Sequence, residues 1–105
     1  MRFFIPAIAA SFLLAAPAWA DAIDGEWCSE VGQQMEIQGP TITIPSGTTL
    51  KGNYDRHAFS YQIPAGETDA GATVSMVLLS EDTMHLKHGQ DAPVEVWHRC
   101  KFLGA

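Results

Sequence analysis

The chain has 105 residues, 47% of them hydrophobic and 17% charged, which is enough for one small domain around one core. Twelve Asp or Glu outnumber six Lys or Arg, and the formal net charge is −6. This acidic balance argues against nucleic acid and anionic membrane surfaces as partners.

The first twenty residues have the pattern of a secretory signal peptide. Arg2 precedes an apolar run over residues 3–14, and the segment ends on the small-residue pattern Ala18-Trp19-Ala20. The run is shorter than the roughly 18 to 20 residues that a membrane-spanning helix needs. We therefore predict cleavage after residue 20 and a single mature domain at 21–105, periplasmic or secreted and not inserted in a membrane. A retained membrane anchor is the alternative.

The mature sequence is typical of an all-β protein. Short runs rich in β-branched and aromatic residues alternate with Gly- and Pro-containing turns, and no stretch shows a convincing helical period. The pattern predicts about eight short strands, at 25–28, 33–38, 41–44, 48–54, 58–63, 73–79, 83–88 and 94–101. Every connection is short enough for a hairpin, and closing such a sheet removes its exposed edges. We predict a small antiparallel meander in a closed or nearly closed barrel, with a two-sheet sandwich as the alternative.

Alternation along the predicted strands identifies the core, because residues two apart on a strand point to the same face. The apolar members of these alternating positions form the predicted core: Met35, Ile37, Ile42, Ile44, Phe59, Tyr61, Ile63, Met84 and Leu86. In the short barrel these side chains are expected to fill the interior, which argues against a large ligand cavity.

The strand at 73–79 is apolar on both faces. Met76 belongs to one face, whereas Val77 and Leu79 belong to the other. We expect the second face to be covered, for instance by a chain terminus. The alternative is an exposed apolar patch that binds a partner.

Two cysteines, Cys28 and Cys100, stand near opposite ends of the mature chain. An even number of cysteines in an exported protein predicts a disulfide. In the chain-entropy model such a long loop stabilises the fold by roughly 4 kcal/mol. A thiol or metal role is disfavoured because the two residues form no C-x-x-C motif.

The two ends of the mature chain resemble the calycin group. Gly25-Glu26-Trp27 is a G-x-W motif, and Trp97-His98-Arg99-Cys100 lies in the last predicted strand. The combination is similar to lipocalins and to small barrel-shaped inhibitors of secreted proteases, in which a first-strand Trp is covered by a last-strand Arg. The resemblance implies that Trp27 and Arg99 form a packing pair, and a guanidinium can stack on an indole face. The chain also resembles small exported bacterial proteins of unassigned function.

Methionine and histidine side chains offer a candidate copper site, since soft thioether and imidazole ligands suit that metal. Built across strands, such a site would use Met76, Met84 and His88. Met84 and His88 share a strand face but lie about 13 Å apart. We therefore favour Met as core filler and His as surface residues, with no metal and no cofactor.

A polar cluster at the turn after the strand at 48–54 contains Tyr54, Arg56 and His57. A hairpin turn accounts for the cluster without acid–base chemistry, because neighbouring Asn and Asp favour turns. Arg is enriched at interfaces, so these three residues are candidate partner contacts, together with Val77 and Leu79. The sequence contains no G-x-S-x-G, no H-E-x-x-H and no phosphate-binding glycine loop, so no catalytic residues are predicted.

The sequence thus predicts an exported, non-enzymatic binding or inhibitor-like module that contacts an unknown protein partner or a small ligand. Two alternatives come from other classes of protein. One is a small periplasmic copper-binding protein, and the other is a structural or assembly component of the cell envelope.

Overall fold

A computed structural model describes residues 22–100, so the predicted signal peptide lies outside the described residues. This part of the chain forms strands and no helix. The strands are β1 (Gly25–Ser29), β2 (Gln34–Gln38), β3 (Thr41–Thr43), β4 (Thr49–Lys51), β5 (Asn53–Asp55), β6 (Ala58–Gln62), β7 (Thr73–Ser80), β8 (Thr83–Lys87) and β9 (Glu95–Arg99). Accordingly, no helix within 22–100 has the length and apolarity to cross a membrane. The predicted all-β class is confirmed.

All nine strands belong to one antiparallel sheet, in the order β4-β3-β2-β1-β9-β8-β7-β6-β5. The two ends of the domain meet where β1 pairs with β9, with Trp27 opposite Arg99 and Cys28 opposite His98. The edge strands β4 and β5 are consecutive in the chain, so the sheet curls back on itself. The result is the predicted nearly closed barrel rather than a sandwich.

The bent segment that closes the barrel was predicted as one strand at 48–54. The structure divides it at Gly52, and its first half pairs with β3 while its second half pairs with β6. The Gly52 N–H donates to the Pro40 carbonyl at 2.9 Å. A Cβ at Gly52 would meet the carbonyl oxygen of Ser60 and lie 2.6 Å from Cε1 of Phe59. Only glycine lets the two backbones approach this closely.

Replacing Gly52 with Ala is expected to lower the free energy of unfolding by about 3 kcal/mol, because backbone and a buried ring must move to admit the methyl group. The control is Gly47→Ala, where φ is 94° and no heavy atom lies within 4 Å of the added Cβ. That variant reports left-handed backbone strain alone, about 1 kcal/mol. Urea denaturation measures both, and equal losses would contradict the steric explanation.

Apolar side chains fill the barrel. Every predicted core residue is at most 9% exposed, so the alternation argument is confirmed. Burial of one such side chain stabilises the fold by about 1.5–3 kcal/mol. The structure adds further members to this cluster: Ile23, Trp27, Val74, Met76 and Trp97. Ile23 was missed because it precedes the first strand and therefore belongs to no alternating pattern.

Candidate functional site

The segment before β1 closes one end of the barrel, here called the closed end. Ala22 and Ile23 are buried, at 5% and 0% exposure. The Ile23 N–H donates to the Arg56 carbonyl at 2.7 Å. Trp27 Nε1 in turn donates to the Ile23 carbonyl at 2.8 Å. The closed end is therefore fastened both to β1 and to the β5–β6 turn.

Arg99 binds the same segment through the two terminal nitrogens of its guanidinium and binds the β7–β8 turn through Nε. Its Cζ lies 4.2 Å from the centroid of the Trp27 ring, the contact that the calycin resemblance implies. Nη2 donates to the Ala22 carbonyl at 2.7 Å, and Nη1 donates to the Asp24 carbonyl. Nε donates to the Glu81 carbonyl at 2.7 Å. Partial burial lowers the pKa of Arg99, against the opposing effect of nearby carboxylates, that of Asp24 foremost.

Cys28 and Cys100 form the predicted disulfide, with their Sγ atoms 2.02 Å apart. Trp27 faces the core, so its neighbour Cys28 points outward. The Cys100 N–H donates to the Glu26 carbonyl at 3.1 Å, which extends the β1–β9 pairing by one residue. The ends of the domain are thus joined outside the sheet by a covalent bond and inside it by Arg99 and Trp27.

The candidate contact residues of the β5–β6 turn lie at the closed end. The Tyr54 hydroxyl donates to a carboxylate oxygen of Asp24, and this hydrogen bond is the main cause of a raised pKa of Tyr54. The His57 N–H donates to the Asp55 carboxylate at 2.9 Å. Tyr54 therefore fastens the segment before β1, while the side chains of Arg56 and His57 are exposed at the tip.

The outward surfaces of β7, β8 and β9 form what we call the outer patch: Val77, Leu79, His85, Lys87, Val96 and His98. Val77 and Val96 are opposite His85 on either side of β8, which makes a continuous row across three strands. Val77 is 50% exposed, Leu79 54% and Val96 36%. No described residue covers them, and the chain termini expected to do so lie outside residues 22–100.

The three residues of the copper alternative occupy different environments. Met76 and Met84 are in the core, at 1% and 0% exposure. His88 follows β8, its side chain is 45% exposed, and its Nε2 is 3.4 Å from Oε2 of Glu95. Among the described residues, no three or more His, Cys, Asp or Glu side chains are grouped to hold a metal ion. The copper site stays a prediction, which an equilibrium titration of the protein with copper would test.

The opposite end of the barrel, here called the open end, contains a cleft of about 440 Å³. The β3–β4 and β6–β7 loops form its walls, and Ser46 Oγ joins them by donating to Glu67 Oε2 at 2.7 Å. Tyr61 and His88 also line it. Burial first, and then the charges of Glu67 and Glu95, raise the pKa of Tyr61 to about 12. Larger clefts of about 570 and 530 Å³ lie beside β2 and at the β4–β6 seam.

Three features of the barrel ends were not predicted from the sequence. Asp24 accepts a hydrogen bond from Tyr54, 30 positions later in the chain, and Glu67 accepts one from Ser46, 21 positions earlier. No local sequence motif marks either carboxylate. Tyr61 was assigned to the core without regard to its hydroxyl. The sequence did indicate a polar contact at Tyr61, because the hydroxyl of a buried tyrosine usually has a hydrogen-bond partner.

Comparison of the chain with protein-family models, with curated proteins and with solved structures gave no match. The calycin resemblance therefore stays a prediction, and function has to be argued from the geometry.

Proposed function

We propose that this protein is an exported, non-enzymatic binding module that contacts a protein partner through the outer patch. The observation that carries the proposal is the row of Val77 and Val96, half-exposed on three hydrogen-bonded strands, with Leu79 beside it. Contiguous apolar patches on small soluble domains mark interaction sites. A sheet surface also requires little ordering when it binds, which favours affinity.

The charge of the outer patch indicates the kind of partner. Without Arg2, five Lys or Arg against twelve Asp or Glu leave the mature domain a formal charge of −7. Lys87 is nevertheless the only ionised group among the outward side chains of β7, β8 and β9, beside the imidazoles of His85 and His98, and Glu81 and Asp82 lie in the turn between β7 and β8. We expect the partner surface to be apolar and bordered by carboxylates, because complementary charges favour association.

Two observations support export. The first twenty residues have the signal-peptide pattern described above. Cys28 and Cys100 form a disulfide, a bond that persists in oxidising compartments such as the periplasm or the extracellular space.

Affinity capture from envelope and secreted fractions with the oxidised mature domain tests the patch. Val77→Glu is expected to weaken binding of the captured partner at least tenfold, about 1.4 kcal/mol, because it replaces an apolar side chain of the row with a charged one. Val31→Glu is the matched control, since Val31 is 83% exposed in the β1–β2 turn and lies outside the patch.

Thermal melts of both variants check that they remain folded. A partner that binds Val77→Glu as well as the unchanged protein would contradict the proposal. Loss of the partner only in the double variant Arg56→Ala and His57→Ala would also contradict it, because the interface would then lie at the β5–β6 tip.

A further inference from the structure

Tyr61 combines deep burial with an unpartnered hydroxyl. The residue is 7% exposed, and its side chain lines the cleft at the open end. Within residues 22–100 its hydroxyl makes no hydrogen bond, although buried tyrosine hydroxyls normally have a partner. The cleft therefore contains a hydrogen-bond donor that the described protein leaves unused.

The cleft is negatively charged. Glu67 and Asp69 line it, and Glu95 is close enough to act on the Tyr61 hydroxyl. Its described lining includes no Lys or Arg, and His88 is held near Glu95. Repulsion disfavours an anionic ligand in such a cleft, whereas an organic cation is attracted. A bare metal ion is disfavoured, because the described residues offer no group of three suitable ligands.

Apolar side chains also line the cleft, beside the neutral polar residues Gln33, Ser46 and Thr68. Ile44, Pro45 and Ile63 border it together with the Tyr61 ring. A few polar groups among apolar side chains are characteristic of small-molecule sites, and an aromatic ring attracts organic cations. The ligand should therefore have a carbon skeleton as well as a positive charge.

We propose that the open-end cleft binds a small organic ammonium compound that also carries a neutral oxygen. The oxygen accepts the hydrogen bond from Tyr61, and the ammonium group faces Glu67 and Asp69, the two carboxylates that line the cleft. Ile44 and Pro45 contact the carbon skeleton. This site is independent of the outer patch, which lies on the outside of β7, β8 and β9.

The test is an NMR titration of the mature, oxidised protein with choline. Two probes of similar size separate the contributions: uncharged 3,3-dimethyl-1-butanol and anionic 4-hydroxybutyrate. We expect saturable shifts confined to the cleft with choline, at least tenfold weaker binding of the alcohol, and no saturation with the anion. Tyr61→Phe should weaken choline binding at least fivefold, whereas Tyr54→Phe at the closed end leaves it unchanged. Glu67→Gln should weaken it as well.

Two results would overturn the proposal. One is the absence of saturation with choline, and the other is equal binding of choline and its uncharged analogue. If the choline shifts do not saturate, a lower Tm of Tyr61→Phe would identify a bound water as the partner of Tyr61. The proposal instead expects the Tm of Tyr61→Phe to be unchanged or raised, because that variant removes an unpaired buried hydroxyl.

Discussion

Replacing Arg99 with Met is expected to lower the free energy of unfolding by about 4 kcal/mol, since each polar group left without its partner costs about 1–3 kcal/mol. The carbonyls of Ala22, Asp24 and Glu81 all lose their donor in this variant. The cation that stacks on Trp27 is lost as well. Met retains the apolar part of the side chain, so the change in the free energy of unfolding reports the contribution of the guanidinium group. Urea denaturation of the oxidised protein gives the value.

Two further variants separate charge from geometry at this position. Arg99→Lys keeps a cation near Trp27 but cannot reach three carbonyls at once, so we expect a loss of about 2 kcal/mol. Lys51→Met removes a positive charge from an exposed position on β4 and should change stability by less than about 0.5 kcal/mol. If Arg99→Met behaved like Lys51→Met, the described role of Arg99 would be wrong.

Removing the disulfide is expected to cost a similar amount, roughly 4 kcal/mol in the chain-entropy model. The bond joins residues 72 positions apart, which spans nearly the whole described domain. A domain this small has a thin stability margin, so Cys28→Ala combined with Cys100→Ala should be largely unfolded at 37 °C.

Thermal unfolding with and without reductant provides the measurement. Reductant should lower the Tm of the unchanged protein and leave that of the double variant unaffected, which controls for side effects of the reagent. An unchanged Tm after verified reduction would show that Arg99 and the β1–β9 pairing join the chain ends without help from the covalent bond.

The fold followed from the sequence because its main signals are local. Two-residue alternation identified the buried face of every strand with a clear pattern, as at Met35 and Ile37. Glycine and proline turns predicted the strand ends to within one or two residues of their observed positions. For example, the predicted strand at 94–101 corresponds to β9 (Glu95–Arg99). The division at Gly52 was missed because a bend in a continuous strand leaves the alternation unchanged.

The contacts at the two barrel ends did not follow from the sequence, because they join residues that only the closed barrel brings together. Arg99 reaches carbonyls 75 and 77 positions earlier, and backbone carbonyls carry no residue-type signal. The sequence also did not determine whether Val77 is exposed. A strand that is apolar on both faces is expected both when its outer face is covered and when that face binds a partner. Neighbouring strands, rather than β7 itself, supplied Val96 and the basic residues of the outer patch.

Site-specific photo-crosslinking in the producing cell tests the central claim most directly. A benzoylphenylalanine residue replaces Val77 in one variant and Asn53, which is exposed on β5, in the other. The proposal predicts one major intermolecular product for position 77 and none for position 53, and the crosslinked protein should present an apolar surface bordered by carboxylates. A crosslink from position 77 to residues 101–105 of its own chain, or no crosslink at all, would contradict the claim that the outer patch binds a partner.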